Sequence, residues 1–505
     1  MKKRKKLSLG PVFAIMIITL VIILISVVFS FLQVRADKTE IVNGYLETSV
    51  VSVKNILSME GLKYLFGNYI MNLALFEPLF LLIISLIGIG IGEKSGLFKA
   101  IFSPLKRVKV GIITAAILLI SIVATIIGEY SFAILLPFAG VVYRYIGKNP
   151  VLGVLTAFIG ITGGYAAGFM INYDTFTLGK LTEIAARVEV DKTYNFALFS
   201  SVFIKIAATF IITILGTIFI NTILSPKLPK VKVEVEEELE TKNKSALLYS
   251  NFTFFLMLML FLYAIIPGIP GGGFLLDKKG NTYIEMLLND NSPFRNSILY
   301  IITMMLMICG YIYGRVSNNI KDSTDYSVGL SKSFDNLGYV FVLMFFASQM
   351  IGILNWTNLG DVLASWLITL LSHAQFSGIL LIIVTFVMIL ILSLIIPGTL
   401  EKWVLASPII VPLFMRANIT PEFTQVIFQV ADGLGKSITP IFPYFIVLVA
   451  FLEKYDTNEH TKTTVFGTIK LILPTILMLI LVWLVILIGW YIIGLPIGIN
   501  GFPTL

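Results

Sequence analysis

Of the 505 residues, 57% are hydrophobic and 13% charged, with a mean hydropathy of +0.93; a soluble globular chain is roughly half apolar and a quarter charged, so a water-soluble domain is excluded and a multi-pass membrane protein indicated. The formal charge of +8 is not a nucleic-acid signal, because the basic residues cluster beside apolar runs, where the positive-inside rule expects them. One cysteine, Cys309, and two widely separated histidines, His373 and His460, exclude a disulfide framework and give no metal-ligand spacing, so neither a metal nor a cofactor is expected.

In chain order, residues 11–33 follow the basic MKKRKK as an apolar run. The run exceeds the ~7–15 residues of a secretory signal core and reaches the ~20 that a bilayer requires. It reads as a retained first helix with a cytoplasmic N-terminus; the alternative is a signal cleaved near Ala36. A polar segment at 34–68 precedes a run at 69–92, in which Glu77-Pro78 implies a helix break. The basic, amphipathic stretch from Glu93 to Val110 belongs on the cytoplasmic surface. Two apolar arms, 109–127 and 132–146, enclose the tip Gly128-Glu129-Tyr130-Ser131. Basic residues at both ends favour a re-entrant hairpin, and two short tilted spans are the alternative. The span 150–180 is interrupted by Gly163–Gly168, and another span occupies 196–223. Mixed charge without an apolar face makes 226–249 a solvated cytoplasmic linker.

In the second half, spans at 250–268 and 297–314 flank an outer loop with the glycine-rich PGGGF at 270–274, which lacks the lysine of a phosphate cradle. The chain crosses again at 337–355 and lays an amphipathic helix on the outer surface at 356–374. Arms at 376–396 and 403–415 enclose the tip Pro397–Lys402. The span 421–451 is broken at Asp432–Ser437, and 465–493 is the last helix. This gives an all-α polytopic membrane protein with about nine transmembrane helices and two opposed re-entrant hairpins, the C-terminus lying outside the cell membrane. Its divisions are 1–68, repeat 1 at 69–225, the linker at 226–249, and repeat 2 at 250–505.

The two hairpin regions align without gaps at a constant offset of 271 residues, placing Pro137 over Pro408, Pro150 over Pro421, Gly164 over Gly435 and Tyr173 over Tyr444. One copy starts from the cytoplasm and the other from outside, which makes an inverted-topology repeat; the bland alternative is chance similarity between proline-broken apolar segments. Inverted repeats place a site near the bilayer midplane, where discontinuous helices present free backbone groups and dipole ends.

Gly92-Glu93-Lys94-Ser95-Gly96, Asn355-Trp356-Thr357-Asn358-Leu359-Gly360, Lys402-Trp403 with Pro408, and Ile438-Thr439-Pro440 with Pro443-Tyr444 occur in that order. From about residue 70 onward the chain thereby resembles the AbgT family of p-aminobenzoyl-glutamate transporters. The resemblance implies nine helices, two opposed hairpins, a homodimer, and either aminobenzoyl-glutamate-like substrates or export of folate-pathway antimetabolites such as sulfonamides. It implies functional roles for Asp174, Trp403, Pro421 and Asp432, and for an acidic hairpin tip, here Glu129. The chain departs from the family pattern in having Gln429 where an arginine is usual, Gly168 and Lys436 where asparagines, implied sodium ligands, are usual, and Leu400-Glu401 at a tip that is otherwise small.

An intramembrane charge is a functional hypothesis by default. Lys436 therefore either takes the place of a cation or binds an anionic substrate, or it closes the site by pairing with Asp432 at i, i+4. Glu129 and Glu401 are proton carriers or hairpin caps, and Trp403 is a packing anchor or a substrate stack. Lys205 is expected to snorkel at a membrane edge. Together with the breaks at Gly164, Gly168 and Gly435, these residues give a secondary transporter of a small organic anion, coupled to protons or to exchange and not to sodium. The competing class is a membrane-embedded enzyme acting on a lipid or cell-wall precursor. No ATP-binding motif is present.

Overall fold

The computed structural model describes residues 9–42, 44–229, 243–373, 376–455 and 464–505. The basic N-terminal hexapeptide, most of the linker at 226–249, and the loop carrying His460 lie outside the described residues. The principal helices are α1 (Pro11–Phe31), α2 (Glu77–Lys94), α3 (Val110–Ala124), α4 (Tyr130–Tyr145), α5 (Pro150–Gly163), α6 (Tyr173–Glu189), α7 (Val202–Phe219) and α8 (Lys244–Ile265). They continue with α9 (Pro293–Val316), α10 (Gly338–Trp356), α11 (Leu359–Ser372), α12 (Gly378–Leu392), α13 (Thr399–Arg416), α14 (Pro421–Lys436), α15 (Pro443–Tyr455) and α16 (Val465–Ile493). Among the described residues, seven helices are long and apolar enough to cross a membrane, and α2 with the bent segment that follows it makes an eighth, kinked by 71°.

The expectation of an all-helical chain needs one correction. Between α1 and α2 an antiparallel hairpin, β1 (Arg35–Val42) and β2 (Tyr45–Ser52), pairs in register from Arg35–Ser52 to Val42–Tyr45. β1 packs on α11 and α13, and Trp366 Nε1 donates to the Arg35 carbonyl over 3.2 Å. The hairpin's larger apolar residues come as the short pairs Ile41-Val42, Tyr45-Leu46 and Val50-Val51 in a largely polar stretch, which offers neither a long apolar run nor a period-2 alternation to read.

The other boundaries follow local chemistry. Pro150 and Pro421 each occupy the first turn of a helix, where the missing N–H costs nothing. α3 ends in a single 3-10 turn, and Gly128 at φ 61° reverses the chain into α4, in a conformation that favours glycine. The first helix break runs from Gly164 to Asn172. The second differs from expectation: α14 stays helical through Lys436, and the chain leaves it only at Ser437–Phe442. The second tip shifts too, since Thr399–Lys402 already belong to the first turn of α13.

Arm, arm, half-helix and half-helix thus occur in the same order in α3–α6 and α12–α15, the same two regions that the 271-residue offset aligns. α5, α14 and α15 form the most buried part of the molecule, enclosed by α3, α4, α10 and α16. Across the two regions, Phe132 of α4 stacks on Tyr444 of α15 at 5.0 Å and meets Phe442 of the second break at 5.4 Å.

Candidate ion and substrate site

α14 passes through the core with every residue from Pro421 to Lys436 buried, including five charged side chains or amides that must be satisfied there: Glu422, Gln425, Gln429, Asp432 and Lys436. Asp432 is the most heavily bonded. Ser393 from the turn after α12 donates to its Oδ1 at 2.9 Å, and Thr399 from the start of α13 donates to Oδ2 at 2.6 Å. Lys402, also on α13, forms an ion pair with Oδ1, both side chains being fully buried. Lys436, one turn along α14, lies 3.5 Å from Oδ2. A carboxylate in this interior is stable only because two ammoniums and two hydroxyls replace its lost water.

Lys436 also reaches beyond its own helix. Its Nζ donates to Thr399 Oγ1 and, at 2.9 Å, to Glu129 Oε1, and the rings of Tyr165 and Phe442 lie 5.0 Å from it. The result is a series, Lys402–Asp432–Lys436–Glu129, that joins α14 to the first turn of α13 and to the turn before α4. Above it opens a cavity of about 280 Å³, lined among others by Glu77, Glu129, Asp174, Arg295, Thr399 and Glu401. Arg295 pairs with Asp290 and covers the Tyr173 ring at 3.1 Å.

Of the residues picked out in the sequence, Asp174, Glu129 and Glu401 line this cavity, and Lys436 touches two of its lining residues, Glu129 and Thr399. Asp174 Oδ2 is buried without a hydrogen-bond partner among the described residues. Trp403 faces elsewhere: fully buried, it packs on Phe428 with ring centroids 4.4 Å apart and donates to Thr182 Oγ1 at 3.0 Å. Thr182 in turn donates to Gln425 at 2.6 Å. Gln429, in place of the expected arginine, bonds Thr175 at 3.2 Å. Gly164 caps the end of α5, Gly168 at φ 135° donates its N–H to Thr209 at 2.7 Å, and Gly435 sits inside α14 against Ser393.

Lys205 overturns its expectation of snorkelling. It is 2% exposed and its Nζ donates to Thr175 Oγ1, beside the first break. The cause is the C-terminal segment, which folds over this end of α7, with the Ile497 carbonyl accepting from Phe203 N at 2.9 Å and Ile204 N at 3.0 Å. The covered helix end leaves the lysine no route to water. Thr399, Ser393 and Arg295 were given no site role in the sequence, and Lys402 entered it only at the hairpin tip and as a charge next to Trp403.

The description of the AbgT putative transporter family matches residues 7–505. The chain belongs to that family. The p-aminobenzoyl-glutamate transport protein of Escherichia coli (strain K12) is 25% identical over 457 residues, spanning 90% of this chain and 88% of the relative. The crystal structure of the Alcanivorax borkumensis YdaH transporter, described as having an unusual topology, is 26% identical, with a TM-score of 0.51 over 97% of this chain and 100% of that one. Neisseria gonorrhoeae MtrF, described within a class of antimetabolite efflux pumps, is 24% identical, with a TM-score of 0.49 over 98% of each chain. As an AbgT-family protein the chain is a multi-pass membrane transporter, which sets aside the membrane-embedded enzyme.

Proposed function

We propose that this AbgT-family protein is a secondary active transporter of a small organic anion, of p-aminobenzoyl-glutamate type or a folate-pathway antimetabolite, driven by protons or by anion exchange rather than by sodium. The observation that carries the reading is the Lys436 ammonium, buried at the cavity and bonded to two of its lining residues. An ammonium there attracts a carboxylate and repels a metal cation. Two unit charges 4 Å apart at an effective dielectric of about 20 interact by roughly 4 kcal/mol, so Lys436 by itself, before its carboxylate neighbours are counted, weakens the binding of a sodium ion beside it by several hundredfold. The first break has its own ammonium nearby, Lys205, and Gly168 there has no side-chain oxygen to offer. The substrate class comes from the Escherichia coli relative, named for p-aminobenzoyl-glutamate transport.

In this reading the protein has nine spans. α3–α4 and α12–α13 are re-entrant hairpins of an inverted repeat, the divisions are 69–225 and 250–505, and a homodimer is the functional unit. α5 and α12, with 14 and 15 residues, reach about 21–23 Å at 1.5 Å per residue, short of a hydrocarbon core of ~30 Å; the basic residues that flank α3 and α4, rather than arm length, favour the hairpin. Asp174, Trp403, Pro421, Asp432, Lys436, Glu129, Glu401, Gln429 and the glycines 164, 168 and 435 form or frame the pathway. Four carboxylates line the cavity, so an entering anion needs a compensating proton, and this favours proton coupling over simple charge attraction. The test is flux of p-aminobenzoyl-glutamate in proteoliposomes under imposed gradients. Uptake should follow the pH gradient or a trans anion and persist when choline replaces sodium at fixed pH; collapse in choline would overturn the sodium-independent reading.

A further inference from the structure

Lys436 has three oxygen partners: Asp432, Thr399 and Glu129. Asp432 is shared with Lys402, and Thr399 is neutral. Glu129 is the one anion among the three that lines the cavity, and its side chain is 31% exposed against 2% for Lys436. Two lysines and two carboxylates make the series neutral as it stands. A substrate carboxylate brought to Lys436 makes it net negative, at a depth where an unbalanced charge costs several kcal/mol. Protonating Glu129 restores neutrality and at the same moment releases the ammonium.

We propose that Glu129 is a tethered competitor of the substrate's carboxylate, and that its protonation couples one proton to the binding of one anion. The inference rests on the anion-transport reading above. In the step, the Glu129 carboxylate takes a proton from the cavity and becomes a neutral acid. Its ion pair with Lys436 breaks, and the substrate carboxylate forms one in its place; release on the other side reverses both. Glu129 faces Lys436 from α14, Glu77 from α2, Asp174 from α6, Glu401 from α13 and Arg295 from α9, with the phenols of Tyr130 and Tyr173 on the same walls. Glu77, Asp174 and Glu401 make no ion pair among the described residues. Their protonation lowers the cavity's negative potential but frees no cation, which singles out Glu129.

The experiment measures binding of p-aminobenzoyl-glutamate to the purified full-length protein between about pH 5.5 and 8.5, where the probe's own carboxylates stay ionised. In the wild type the Kd should rise with pH, approaching tenfold per unit once Glu129 is ionised, and binding should take up one proton. In Glu129→Gln the slope should fall well below that of the wild type, leaving only the shallower dependence that Glu77, Asp174 and Glu401 exert through the cavity's potential. A variant that keeps the wild-type slope overturns the proposal. Should the variant not fold, proton uptake by the wild type, from calorimetry in two buffers of different ionisation enthalpy, decides the matter: none taken up overturns it. Saturable binding without pH dependence removes the coupling and leaves the anion reading intact, whereas no binding at any pH removes both.

Discussion

Ser393, Thr399, Lys402 and Lys436 all converge on the two oxygens of Asp432, so neutralising that carboxylate leaves Lys402 buried beside a repelling neighbour. Asp432→Asn should lower the stability of the detergent-solubilised protein by about 3–5 kcal/mol, as for other broken buried pairs. Adding Lys402→Gln should restore part of the loss, a coupling that thermal unfolding of the two single variants and the double variant measures directly. Strict additivity would show that the two do not act as a pair. Lys205 predicts the opposite sign. Among the described residues its hydrogen-bond partner is the neutral Thr175 hydroxyl, with no ion pair, so Lys205→Met removes a poorly compensated desolvation cost and should raise stability by about 1 kcal/mol or more; a fall of several kcal/mol would reveal an anionic partner. The contrast marks what could be read in the sequence at this scale. Lys436 and Asp432 were legible because four residues on one helix bring side chains together. Lys402 and Lys205 depend on how a distant arm rotates and on where the C-terminal segment lands, and no local spacing encodes either.

Among the elements, most helix and arm limits were legible because proline, glycine and basic residues punctuate them. The second break was displaced because glycine has two uses. Gly433 and Gly435 read as helix breakers, yet both are helical, and a Cβ on Gly433 would lie 2.5 Å from Tyr165 Cβ and 2.6 Å from the Thr162 carbonyl. They permit α14 to approach α5 and α12 closely, at a propensity cost of about 1 kcal/mol each. Gly433→Ala should therefore destabilise by about 1–3 kcal/mol through overpacking, despite its better helix propensity. Gly489→Ala in α16, where an added Cβ meets nothing within 4 Å, should be neutral or stabilising. Unfolding midpoints of the two variants in one detergent check the difference; equal responses would mean that α14 has room to move. Trp403 belongs to the same packing problem: its ring fills the gap between α6 and α14, which a sequence cannot distinguish from a ring lining a cavity.

For the molecule as a whole, the proposal of opposed hairpins makes a claim about sides of the membrane that helix lengths alone do not. α3, α4, α12 and α13 hold 15, 16, 15 and 18 residues, lengths that re-entrant arms or short tilted spans can both have. Charge separates the two. Arg107, Lys109, Arg144 and Lys148 flank the outer ends of α3 and α4, whereas α12 begins at Ser377-Gly378 with no lysine or arginine near it. The positive-inside rule counts lysine and arginine in short loops, so both ends of the first pair belong inside and the beginning of the second pair belongs outside. Cys309 is buried, and replacing it with alanine gives a background for single-cysteine labelling. In intact cells a membrane-impermeant maleimide should leave a cysteine at position 148 unmodified until the cells are permeabilised, and should modify one at position 377 without permeabilisation. If both positions react from the same side, the inverted repeat is lost. The matched order of arms and half-helices would then mean only that proline-broken apolar segments fold alike, and the cluster of Lys402, Asp432, Lys436 and Glu129 would have to be explained without two opposed turns meeting at the membrane midplane.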